Sequence, residues 1–228
     1  MPRLEVIVTS AAEAAMAAEG GADRLELVRA LDTGGLTPHF ATAKEVSKAV
    51  SIPVRVMLRG NSTMCMSGVE ELRDLTSAAA EFRRLPLDGL VMGWISPAGG
   101  VDLPALEATL AAAPECHVTF HRAFEHLADP FAALPILKRF PQVDRILTCG
   151  GAGSWPERKR RLLAWSRAAA PEIGIVVGGG LSAAEVAELM ADARFPEVHV
   201  GRAARTREEN GGQLDPGKIA FLKSLQAQ

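Results

Sequence analysis

The chain has 228 residues, 48% of them hydrophobic, and a formal net charge of -2. That charge leaves no basic footprint for nucleic acid, and no run of about eighteen apolar residues offers a membrane span. The three cysteines, Cys65, Cys116 and Cys149, are odd in number and far apart. This argues against a disulfide framework and for a reducing cytoplasm.

The N-terminal MPRLEVIVTS carries Glu5 inside its apolar run and lacks signal-peptide organisation. LEVIV (Leu4 to Val8) reads as a strand; Ser10 then caps a helix, with Glu13 completing a capping box and Gly20 ending it. RLELV (Arg24 to Val28) is the second strand, followed by a Gly-rich loop and a helix entered at Thr37-Pro38. PVRVMLR (Pro53 to Arg59) precedes a helix capped by Ser67 with Glu70 three residues on. GLVMG (Gly89 to Gly93) leads to a helix near Asp102, and HVTFH (His117 to His121) leads to the Asp129-Pro130 helix start. RILT (Arg145 to Thr148) precedes a helix near Ser154, and GIVVG (Gly174 to Gly178) one capped by Ser182 with Glu185. EVHVG (Glu197 to Gly201) is followed by a polar loop and a last helix from Asp215-Pro216. Asn210 to Gly212 and Gly93 to Gly100 read as the loosest segments.

Eight strand-plus-helix units with no composition break predict one α/β domain over residues 1–228, a (β/α)8 TIM barrel. A doubly wound open sheet is the alternative; it usually has fewer units and a stronger first-strand fingerprint.

Strand side chains alternate between the barrel interior and the helices, and the helix-facing positions must be apolar. Leu25 and Leu27 therefore face outward, which sends Arg24 and Glu26 inward. The same phase turns Glu5, Arg55, Arg59, His121 and His199 into the interior. Two readings compete. The charges form a self-satisfied network that fills the barrel, or guanidinium forks hold an anionic ligand beside carboxylates and imidazoles. Buried charge is rarely worth its desolvation for stability alone, which favours the second. Residues late in a strand lie nearest the catalytic face, favouring Glu26, Arg59 and His121. Glu26 and His121 form the expected acid–base pair. Two neighbouring cations should keep Glu26 ionised, leaving His121 to carry the proton.

GGGLSAAE (Gly178 to Glu185) follows strand seven, and VGRAAR (Val200 to Arg205) ends strand eight. Loops at these places often bind phosphate, so Gly179, Gly180 and Gly201 are candidate anion-binding positions; tight turns are the plainer reading. STMCMSG (Ser62 to Gly68) sets Cys65 between Met64 and Met66, soft donors suited to copper(I). In an extended loop consecutive side chains diverge, so packing by adaptable side chains competes with a metal role for Cys65.

LEVIVTS, GADRLEL followed by GGLTP, VTFHRAFE, RILTCGG, VVGGGL and EVHVGRAAR occur in that order. From Leu4 to about Arg205 the chain resembles the CutC family of copper homeostasis proteins. The resemblance implies a cytoplasmic (β/α)8 barrel with a copper-linked role and copper(I) as ligand. It places the family's polar residues on Glu5, Arg24, Glu26, Arg59, His121, Arg122 and His199. Arg122 is the one that strand phase does not aim inward. The chain departs from the pattern at Arg59-Gly60-Asn61, at Met66 where tyrosine is usual, and at Cys149 where serine is common. Two functions are therefore expected to compete, copper handling and an enzyme acting on a small anionic metabolite. A homo-oligomer is left open, and neither a nucleic-acid nor a membrane partner is expected.

Overall fold

The computed structural model describes residues 2–206 and 212–225. Eight strands run parallel in chain order and close into a barrel. They are β1 (Arg3–Val8), β2 (Arg24–Leu27), β3 (Val54–Met57), β4 (Gly89–Met92), β5 (His117–Phe120), β6 (Val143–Thr148), β7 (Gly174–Gly178) and β8 (Glu197–Val200). The helices alternate with them: α1 (Ala11–Glu19), α2 (Phe40–Ala49), α3 (Val69–Phe82), α4 (Leu103–Ala112), α5 (Pro130–Leu137), α6 (Trp155–Ala169), α7 (Ala183–Met190) and α8 (Pro216–Ser224). Among the described residues, no helix is long and apolar enough to cross a membrane.

The strand phase follows the apolar alternation. Leu4, Val6, Val8, Leu25, Leu27, Val54, Val56, Val118 and Phe120 join the large core between strands and helices. Ile7, Val28, Met57 and Val91 form a separate small cluster of their own. Glu5, Arg24, Glu26, Arg55, His121 and His199 are all buried. Register then decides who meets whom, since Glu5 is level with Arg24 on one side and His199 on the other.

Local chemistry starts most helices. Asp102, Asp129, Ser182 and Asp215 cap α4, α5, α7 and α8, each accepting main-chain N–H bonds from the first turn. Two starts differ from expectation. Ser10 caps α1, but Glu13 turns to the N–H and hydroxyl of Thr9 and to Arg205 (2.6 Å), pinning the end of β1 to the segment after β8. Ser67 does not cap α3: Gly68 stands at that position, with φ of 150°. The Ser67 N–H instead donates to Glu71 (2.6 Å), whose carboxylate is also held by Asn61.

The stretch from Gly93 to Gly100 is irregular but tied, because Ile95 donates to the Met64 carbonyl (2.8 Å). Of the other segment expected to be loose, residues 210 and 211 lie outside the described residues.

Candidate functional site

The interior charges divide into two groups. At the N-terminal ends of the strands, Arg55 forks onto Asp144 (2.7 and 2.8 Å) and reaches Asp88 and the Thr119 hydroxyl. Arg145 bridges Asp144 and Glu197, and Arg24 joins Glu197 to Glu5. This half is a closed ion network that fills the barrel.

The other half opens into a cavity of about 500 Å³ at the C-terminal ends of the strands. Glu26, Arg59, His121, Arg122, His199, Gly179, Gly180 and Gly201 all line it, beside Ile7, Met57 and Leu147. Glu5 and Arg24 do not; they lie beneath the floor. Cys65 does not line it either and is exposed, whereas Met64 does. Arg202, which strand phase passes over, is part of the wall. Its position one residue past Gly201 was the available signal.

Arg59 follows β3 and is 5% exposed. Its guanidinium donates to the carbonyls of Gly34, Gly35, Ser62 and Thr63. It thus laces the loops after β2 and β3 together. Its fork is turned to backbone rather than presented whole to a ligand, and among the described residues no carboxylate pairs with it. Burial and the nearby Arg122 charge both lower its pKa.

β5 ends at Phe120, so Arg122 escapes strand phase and sits in a 3-10 turn, Arg122–His126. Glu125 holds it (2.6 and 2.8 Å) and is itself fixed by the Thr148 hydroxyl and the Cys149 N–H, both at 2.7 Å. Burial works against the Arg122 charge, and Glu125 more than restores it. Arg122 crosses directly over Gly179: a Cβ there would come within 2.5 Å of its Nε. Gly179 and Gly180 have φ of 105° and 66°, the left-handed region that glycine tolerates best.

His121 Nδ1 accepts the Ala123 N–H (3.2 Å), and Nε2 is buried without a partner. Burial, reinforced by Arg59, pushes its pKa down to about 3, so the ring is neutral at neutral pH. Glu26 behaves oppositely. Burial, aided by the Glu5 charge, pushes it up to about 7 despite His199 and Arg24. This reverses the sequence expectation: Arg24 is committed to Glu5 and Glu197, so Glu26 is not flanked by two cations. Burial likewise raises the Glu5 pKa, but Arg24 and His199 outweigh it and hold the carboxyl far below its usual range.

A closed (β/α)8 barrel with a cationic rim over a carboxylate–imidazole floor is the class of molecule that fold and site define. The CutC family model matches residues 2–204. A family protein CutC of Xanthomonas campestris pv. campestris is 38% identical over 196 residues, covering 86% of this chain and 81% of that one. The human copper homeostasis protein cutC homolog is 30% identical over 222 residues, covering 97% and 80%. The crystal structure of CutC from Streptococcus agalactiae superposes with a TM-score of 0.80 at 25% identity, over 92% of this chain and 100% of that one. The chain belongs to the CutC family.

Proposed function

We propose that the barrel mouth binds a small anionic metabolite, bearing a phosphate or carboxylate, and that this protein is an enzyme acting on it. The observation that carries the reading is Arg59, a buried cation whose guanidinium donates only to neutral carbonyls. A buried charge without a counter-charge costs several kcal/mol, and an anion in the cavity offsets that cost. Arg122 and Arg202 supply direct donors, while Gly179, Gly180 and Gly201 leave bare backbone beside them. Glu26, His121 and His199 face the remainder of the ligand. The 228 residues act in this reading as one barrel domain in the cytoplasm, with three free thiols.

Phosphate tests it through mass action: at a hundred times Kd it contributes about 2.7 kcal/mol to stability and raises the melting temperature. Arg59→Ala should weaken that response. Because Arg59 also laces two loops, Arg122→Ala is the second variant and should weaken it as well. Lys44→Ala, on an exposed face of α2, should leave it unchanged. Equal responses in all four proteins would return the arginines to barrel filling.

The names of the CutC relatives support a second reading, copper homeostasis with copper(I) as cargo. Copper(I) asks for two or three soft donors at one point. Here Cys65 is exposed while Met64 and Met66 pack against the core. Burial raises the thiol pKa of both Cys116 and Cys149, which lie on other elements. The soft trio therefore fits loop packing. Cys65→Ser should leave copper(I) affinity within about threefold, whereas a hundredfold loss, ~2.7 kcal/mol, would establish a thiolate site.

A further inference from the structure

Beneath the cationic rim, the charges at the cavity floor do not close. Glu5, Glu26 and His199 each offer one ligand atom, and the three atoms lie within 4.8 Å of one another. Register places Glu5 and His199 side by side, and His199 Nδ1 is 2.8 Å from Glu5 Oε1. Glu26 Oε2 is 3.9 Å from the same nitrogen. It is buried and has no hydrogen-bond partner, although Glu26 is 1% exposed. A carboxyl oxygen left bare in a protein interior, ionised or not, carries a cost.

The surrounding ion pairs do not supply the missing charge. Arg24, Arg145 and Arg55 are the guanidiniums of the network below, and they face Glu5, Glu197, Asp144 and Asp88. With Glu26 counted as ionised and the His199 ring as neutral, three guanidiniums meet five carboxylates. Arg24 occupies Oε2 of Glu5, which leaves Oε1 turned to His199, itself on the cavity wall. Gly178 makes room for the imidazole: a Cβ there would lie 2.6 Å from that of His199.

We propose that Glu5, Glu26 and His199 bind a divalent metal ion at the floor of the barrel. His199 Nδ1 exchanges its contact with Glu5 for the metal, and any proton on that nitrogen leaves to solvent. The ion restores the charge balance and occupies the bare Glu26 oxygen. Two carboxylate oxygens and one imidazole suit manganese(II), iron(II) or zinc(II), and not copper(I), which seeks sulfur. Glu26 and His199 line the cavity, so the ion is reached from the mouth and keeps open positions toward it. This reading stands on the floor alone and does not require the anion at the rim.

The test is calorimetric titration of the full chain, stripped with chelator, with manganese(II) and with zinc(II). Wild type should take up one ion per chain and melt higher with it. Glu26→Gln, which keeps the shape of the side chain, should lose at least tenfold in affinity, and His199→Gln should lose as much. If Glu26→Gln does not fold, as judged by circular dichroism, His199→Gln decides. Cys65→Ser should bind as wild type. Arg122→Ala should keep metal binding while losing the phosphate response, and Glu26→Gln the reverse, so each reading can fail alone. Absence of binding to wild type, equal affinity in wild type and both floor variants, or a tenfold loss in Cys65→Ser overturns the proposal.

Discussion

His121 shows how far a residue's chemistry depends on neighbours that come from other strands. Its folded pKa lies near 3, set by burial and by the Arg59 charge, against about 6.5 in an unfolded chain. Below pH 6.5 the unfolded state takes up a proton that the native ring refuses. The stability it contributes is therefore present above pH 6.5 and lost as pH falls toward 3. By pH 5 the loss should reach about 2 kcal/mol. Urea midpoints between pH 7 and 5 should fall more steeply for wild type than for His121→Gln. Parallel curves would show that the ring is not held neutral. Strand phase correctly turned this imidazole inward, yet the sequence reading gave it the proton at neutral pH. The error lies in register: Arg24 is level with Glu5 and pairs with it and with Glu197, so burial outweighs its charge at Glu26, and Arg59 stands beside His121. Which in-strand charges meet across a barrel is fixed by strand stagger, and no single strand contains that information.

Helix starts are more legible, because a cap and its partner lie within one turn. Ser182 accepts the Glu185 N–H (3.2 Å), while Glu185 takes the N–H and hydroxyl of Ser182 (2.7 and 3.0 Å). The start of α7 is thus satisfied by its own side chains, and the anion site proposed beside Gly179 and Gly180 should not depend on it. Ser182→Ala should cost about 1 kcal/mol and leave the phosphate-dependent melting shift unchanged. A lost shift would make the α7 N-terminus part of the anion site. Ser67 was misread as a cap for a tertiary reason. Asn61 and Ser67 both bind Glu71, so the loop after β3 closes on a side chain of the first turn of α3, and the Ser67 hydroxyl takes Asn61 instead of a helix N–H. That same loop carries the Ser62 and Thr63 carbonyls that receive Arg59. Its conformation, and hence the way the Arg59 fork points, was not readable from Arg59 alone.

Across the whole molecule, eight repeats of strand and helix made the barrel plain, and apolar alternation made its interior plain. The division of that interior into a structural half and an open half was legible only in outline, from which charges come late in a strand; the partners that complete each half were not. Arg55 and Arg59 share a strand phase, but one ends among Asp88, Asp144 and Thr119 and the other among neutral carbonyls. Arg55→Met would leave two carboxylates partly unpaired, each about a quarter exposed. Discounted for that exposure, the cost should be about 2 kcal/mol. Chemical denaturation should register it, while phosphate should still raise the melting temperature as in wild type, because the two halves lie at opposite ends of the strands. A phosphate response lost together with stability would mean that the halves act as one.

The most direct measurement of the rim is a crystal structure of the full chain grown in phosphate. The anion should lie between Arg122 and Arg202, against the backbone of Gly179 and Gly180 and within the field of Arg59. An empty mouth at saturating phosphate, or phosphate bound only on the outer surface, would contradict an anion-binding barrel.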